Sequence, residues 1–459
     1  MESSSSSDSD SSGDDEVVTD LLGTITTASL MEMDQSDSDS SDSSVKWGGS
    51  RKGKAPNIPR DFAGAYSMVV KHYFSGMESL YTEEQFERRF GAPRSVVSRI
   101  YNAVRGIDPF VLKTNRAGRK PGIRPLVRIV AAFRMLVYGD SSDHYDEHLQ
   151  ISETELSSNL KSFCKVVVER LGERYLNRSP TAEEKSRSTE LMRSRGFPGC
   201  FASWDCKHYD WQNCPVRLAG QYKGKAGGKK TIVMEAICDP HLYLWYFHWG
   251  EAGSLNDLNI LDRSTIVEKI MNQEFNTRVE PYSINGTVRD WLYFLVDGIY
   301  PRMAIFVKTH PSPVTQMELQ FAKRHEHVRK DIERCFGVLV KKFEILKRPF
   351  RNWYLDDIRQ IVECCVIIHN MTIDERRENY TFNDVRENVE NIHEDAPDEG
   401  ERVTLFGLAE VGPDEEIGAV LAARVANMMS TIEDTARHYS LQHDLYEYIS
   451  NVYYNNNNE

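Results

Sequence analysis

With 459 residues and 40% hydrophobic content, the chain can bury at least one large core and has length for two or three structural units, which excludes a wholly disordered protein. Eight cysteines are too few for a secreted disulfide scaffold, no basic-then-apolar segment opens the chain, and no apolar run reaches the roughly 18 residues of a membrane span, so a soluble chain in a reducing compartment is expected. The net charge of −13 conceals a basic body: residues 1–45 hold twelve acids and no Lys or Arg, residues 374–459 hold twenty acids against six bases, and the stretch between carries +13, the asymmetry of a folded core that meets a polyanion.

Residues 1–58 run through MESSSSSDSDSSGDDEVV and MDQSDSDSSDSS, Ser/Asp tracts with too little apolar surface to offset the entropy of ordering, and a disordered acidic N-terminus is expected. Residues 59–195 are helical in pattern. Thr82 with Gln85 three positions on reads as a capping box ahead of Phe86, Phe90, Val96, Val97, Ile100 and Val104, spaced as a helix pair would bury them. RPLVRIVAAFRMLVYG reads as a further helix, DHYDEHLQ as a short one, and Ser152 with Glu155 caps ETELSSNLKSFCKVVVERL. This succession suits an all-α, helix-turn-helix-like DNA-reading unit, although trihelical bundles that bind no DNA have the same shape. KTNRAGRKPGIRP supplies Lys113, Arg116, Arg119, Lys120 and Arg124 in a Gly/Pro-broken linker suited to phosphate contacts.

From residue 196 the period becomes strand-like. GFPGCFASWDCKHYDWQNCP runs the apolar stretch Phe201–Trp204 straight into Asp205, a strand-end acid that is either a turn-former or a carboxylate held at a sheet edge for a metal. KKTIVMEAICD and LYLWYFHWGE, joined through Asp239 and Pro240, read as a hairpin. SLNDLNILDRSTIVEKIM follows as a helix, WLYFLVD as a fourth strand ending on Asp297, AIFVK as a fifth, and ELQFAKRHEHVRKDIERCFGVLVKKFEIL as one long helix. Three strands, helix, two strands and helix is close to the order of an α/β, ribonuclease-H-like mixed sheet with flanking helices, in which the first and fourth strands are neighbours; residues 196–373 are assigned to it. Residues 374–459 hold the acidic linker ENVENIHEDAPDEGERV and a last helix, whose docking on the body or on a partner stays open.

On that topology Asp205 and Asp297 end near each other. Glu333 lies at the margin of the stripe Ile332, Phe336, Leu339, Val340, Phe343 and Leu346, a position usual for a solvated helix residue unless two aspartates aim at the same place. Three converging carboxylates repel one another, and a pair of divalent cations makes the cluster tolerable; Mg²⁺ suits such oxygen-rich, incomplete sites. Asp257, after a Ser254 cap, is either a first-turn acid at a helix N-terminus or a further ligand. Cys200, Cys206, His208 and Cys214 are zinc-type ligands without paired spacing, and His208 is better read as a phosphate contact or a packed histidine. Lys223, Lys225, Lys229 and Lys230 in QYKGKAGGKK form a Gly-rich basic loop that can follow a DNA backbone or remain a solvated loop.

With GFPGCFASWDCKHYDWQNCP, GSLNDLNILDRS, YFLVDGIYP and RKDIERCFGVLVKKFEILKRP in order, and thirty-five residues between Asp297 and Glu333, the region 196–373 resembles the DDE transposases of the PIF/Harbinger superfamily, especially the plant-type group. Residues 80–185 resemble the family's N-terminal region more weakly. The resemblance implies a nuclear, divalent-metal-dependent endonuclease and strand-transferase that acts on transposon ends and target DNA with two Mg²⁺ or Mn²⁺ ions. Asp205 would bridge them and Asp297 and Glu333 would each hold one, with Asp257 as the rival second acid or an added ligand. It also implies double-stranded DNA as partner, a Myb-like DNA-binding protein beside it, and no membrane; a homo-oligomer is expected. A domesticated, catalytically idle DNA-binding or chromatin-associated protein is the alternative, and a scaffold with acidic tails a third.

Overall fold

The structure, a computed structural model, describes residues 58–110, 122–224, 228–379 and 434–452. The acidic tail to residue 57, the linker cations Lys113, Arg116, Arg119 and Lys120, the loop residue Lys225 and the acidic stretch 380–433 lie outside the described residues. Two compact units divide between Arg170 and Leu171.

The first unit is helical. Helix α1 (Phe62–Val69) continues into a π-turn over Val70–Phe74, and α2 (Glu83–Phe90) starts on the Thr82–Gln85 capping box and stops at Gly91, whose φ of 65° favours glycine. Next come α3 (Arg94–Val104), α4 (Pro125–Tyr138, with proline at its first turn), the short α5 (Asp146–Leu149) and α6, which spans Glu153–Tyr175 and is capped by Ser152. Phe86 and Phe90, one helical turn apart, stack at 4.1 Å, and Phe74 and Phe133 pack around them.

The second unit adds α7 (Ala182–Ser194) and a five-stranded sheet of β1 (Cys200–Asp210), β2 (Thr231–Cys238), β3 (Leu244–Ala252), β6 (Tyr293–Val296) and β7 (Phe306–Lys308), in the order β3-β2-β1-β6-β7. β1, β2 and β3 are antiparallel neighbours, while β6 and β7 run parallel to β1. Alternation along β6 explains why both faces are buried: Phe294 and Val296 enter a core with Trp204, Leu261 and Phe306, whereas Tyr293 and Leu295 enter another with Val307, Phe321 and Leu445. Between them β4 (Arg278–Ile284) and β5 (Thr287–Trp291) form a separate hairpin on an Asn285-Gly286 turn, with φ of 49° and 85° as a two-residue turn of this hand requires.

Three expectations shift. β1 does not end at Asp205 but continues to Asp210, held by the antiparallel ladder to β2 after its parallel pairing with β6 has stopped at Ser203. The helix expected over residues 254–271 is two short helices, α8 (Asp257–Leu261) and α9 (Ile266–Met271), and its cap is Asn256, which accepts the N–H of Asn259, rather than Ser254. The single long helix is also two, α10 (Gln316–Arg329) and α11 (Asp331–Lys342), parted at Lys330, where ψ is −3°. Asp331 accounts for the break: its fully buried carboxylate starts α11 while ion-paired to Arg195 and Arg334. Helices α12 (Leu355–Asn379) and α13 (Thr435–Ser450) complete the unit; α13, the described part of the expected last helix, docks on α10, β7 and β4, and residues 414–433 of that expectation lie outside the described residues. Among the described residues no helix is long and apolar enough to cross a membrane.

Candidate functional site

Parallel pairing puts the first two acids together. Ser203 on β1 lies opposite Leu295 on β6, so Asp205 and Asp297, each two residues further on, stand at the same level of adjacent strands. Asp205 Oδ1 accepts the N–H of Cys206 at 2.8 Å, and Asp297 Oδ1 accepts that of Gly298 at 2.7 Å.

The break between α10 and α11 delivers the third. Arg329 ends α10, and its largely buried guanidinium donates to Asp205 Oδ2 at 2.9 Å, to Glu333 Oε1 at 3.0 Å and to Glu326 Oε1 at 3.1 Å. Glu326 from the last turn of α10 and Glu333 from the first turn of α11 thus converge with a strand acid on a single cation. Sequence reading passes over Arg329, although its place one turn before Glu333 in RKDIE is the signal that could have found it.

Burial dominates the electrostatics. It pushes the Asp205 carboxyl up to about 6; Cys206 N–H and Arg329 pull it back, and the charges of Asp257 and Asp297 push it further up. Asp257, in the first turn of α8, therefore belongs to the same field. Glu235 on β2, fully buried and cross-strand from Cys206 and His248, is pushed up to about 7, again by burial first. Ser264 and Trp204 lie near Glu235 without reaching hydrogen-bond geometry. Burial and the field of Glu235 likewise push the Cys206 thiol up, and its sulfur sits 3.7 Å from the Tyr300 hydroxyl.

Hard carboxylate oxygens gathered in one another's field, with one arginine among them, are the donor set a hard divalent cation takes. In this conformation Arg329 supplies the positive charge, and among the described residues no group of three or more His, Cys, Asp and Glu side chains is disposed to hold a metal ion.

Residues 173–380 match the family model described as plant transposon protein. The match supports a transposon-related protein. The matched stretch contains Asp205, Asp257, Asp297, Arg329 and Glu333, and it leaves out α1–α5 and α13. No curated protein and no solved structure matches.

Around this site the predicted DNA contacts are dispersed. His208 is exposed, with Nδ1 2.9 Å from the Thr231 hydroxyl. Lys229 pairs with Asp210 at 3.1 Å, and Lys223 and Lys230 face each other across a single β-bridge; all three lysines are exposed. His208 lies three residues beyond Asp205 on β1, and the lysines lie further on, around Asp210 at the end of β1 and the start of β2. In the first unit Arg124 is not solvent-directed alone, since its guanidinium lies 4.4 Å from the Tyr66 ring centroid.

Proposed function

We propose that the protein is a DNA transposase of the PIF/Harbinger type, a DDE endonuclease that cuts phosphodiester bonds at transposon ends and joins them to a target. The observation that carries this reading is that Arg329 bonds both Asp205 and Glu333, with the charge of Asp297 acting on Asp205, inside the stretch that matches plant transposon proteins. The strand order β3-β2-β1-β6-β7, antiparallel on one side of β1 and parallel on the other, supports a ribonuclease-H-like assignment.

Asp205, Asp297 and Glu333, with Asp257 beside them, would hold two Mg²⁺ or Mn²⁺ ions, which when bound neutralise charge at the phosphate and activate water or a 3′-hydroxyl. The chain's own groups set the conditions for this. Arg329 and the Cys206 amide favour the ionised form of Asp205 against the pull of burial, and Arg329 keeps Asp205 and Glu333 neutralised until an ion arrives. Lys223, Lys229 and Lys230 offer positive charge to the DNA backbone, with His208 as a further contact. The reaction is phosphodiester hydrolysis followed by transesterification, without a covalent enzyme intermediate. Double-stranded DNA, a Myb-like companion protein, a homo-oligomer and a nuclear location belong to the same reading.

Cleavage of duplex DNA carrying the element's own ends, in Mg²⁺ or Mn²⁺, tests it. Wild type should nick, and Asp205→Asn and Asp297→Asn should bind the same DNA without nicking. Nicking that survives Asp205→Asn would overturn the assignment.

A further inference from the structure

Helix α13 lies outside the stretch that matches plant transposon proteins, yet it is built into the sheet. Leu441, Leu445 and Ile449 are buried in the core beside Val307 and Phe321. His438 Nδ1–H donates to the carbonyl of Phe306 at 2.9 Å, and Gln442 Nε2 donates to that of Lys308 at 3.1 Å. Both carbonyls belong to β7, the sheet's last strand, so α13 covers an edge that would otherwise stand open.

Docking of α13 against the segment after β6 leaves a groove of about 530 Å³, the size of a small-ligand cleft rather than a duplex-wide channel. Gly298, whose amide donates to the Asp297 carboxylate, is among its lining residues, so the groove adjoins the candidate site. Its walls are positive. Arg302 is exposed and makes no ion pair among the described residues; its guanidinium lies 5.5 Å from the ring centroid of Tyr439, which is 52% exposed. The Lys308 amine donates to the Tyr300 carbonyl rather than to an acid. His443 adds an exposed imidazole, 3.9 Å from Glu447. Unpaired cations beside a half-exposed aromatic ring are the pairing that holds single-stranded nucleic acid: charge for the phosphates, a ring face for a base.

We propose that this groove binds a single DNA strand, with its phosphates on Arg302 and Lys308 and a base on Tyr439, and leads it to Asp297. The inference rests on the reading of the protein as a DNA-cutting enzyme. It gives α13 the role of one wall of the strand's path.

The test is fluorescence anisotropy of the full chain with a labelled single-stranded oligonucleotide and, separately, its duplex, across a salt series. Arg302→Ala and Tyr439→Ala should each weaken single-strand binding about ten-fold, as loss of one stacked base does. Arg302→Ala should also flatten the slope of log affinity against log salt by about 0.7. Unfolding midpoints and duplex affinity should stay at wild-type values. Unchanged single-strand affinity in the folded variants would overturn the groove while leaving the enzyme reading intact, and so would equal losses for strand and duplex. Wild type that binds neither form of DNA would overturn both.

Discussion

Removing Arg329 breaks its ion pairs with Asp205, Glu326 and Glu333, and the structure sets the size of the loss. The Asp205 side chain is 19% exposed, against 41% for Glu326 and 49% for Glu333. Breaking a buried pair by deleting one partner costs ~3–5 kcal/mol, whereas exposed pairs are worth up to ~1 kcal/mol and are screened by salt. Asp205 has an escape that lowers the first figure: its carboxyl already sits at about 6, and without Arg329 it rises further and takes up a proton. Arg329→Gln should therefore destabilise the protein by about 2 kcal/mol near neutral pH in EDTA. The pH dependence has a definite sign. A carboxyl raised in the folded state loses stability as pH climbs towards its folded value; both proteins lose alike up to about 6, and above that only the variant goes on losing. Urea unfolding at about pH 5 and about pH 8 reads this out, with a small difference at the lower pH and the full one at the higher. Equal midpoints at both pH values, or a deficit that ignores pH, would refute the view that Arg329 holds Asp205 ionised.

Two further outcomes are expected. Glu235, raised to about 7 by burial, makes wild type lose stability as pH rises from about 4.5 to about 7, by about 3 kcal/mol in all, and Glu235→Gln should abolish that part of the slope in chemical unfolding across pH. Leu445→Ala, which opens the fully buried contact of α13 with Val307 and Phe321, should cost about 2–4 kcal/mol in thermal or chemical unfolding; a loss near zero would mean that α13 is not docked in solution.

The sheet is legible in the sequence because its strands are short apolar runs with clear breaks: TIVMEAIC and LWYFHWGEA around Asp239 and Pro240, then YFLV and FVK. The β4–β5 hairpin is passed over although Asn285-Gly286 is a strong turn signal, because its flanking residues are mostly exposed and lack an apolar stripe. The break at Lys330 is hidden for the opposite reason. Helical periodicity continues through it, and what parts α10 from α11 is the tertiary pairing of Asp331 with Arg195, far off in sequence. Asp205, Asp297, Asp257 and Glu333 stand out by motif and spacing, but Arg329 and Glu235 do not. Both owe their character to burial, which places a guanidinium among carboxylates and a carboxyl inside an apolar strand, and neither effect is written in residue type.

The proposed cation site joins Asp205, Asp297 and Glu333, with Arg329, paired to Asp205 and Glu333, as its resident positive charge. Mn²⁺ binding to the full chain, followed by calorimetry or by the loss of free Mn²⁺ signal in electron paramagnetic resonance, tests it without DNA or turnover. Wild type should bind Mn²⁺, Asp205→Asn and Asp297→Asn should lose it, and Arg329→Gln should bind it more tightly. Binding untouched by either asparagine variant, or absent from a folded wild type and from Arg329→Gln alike, would contradict the account.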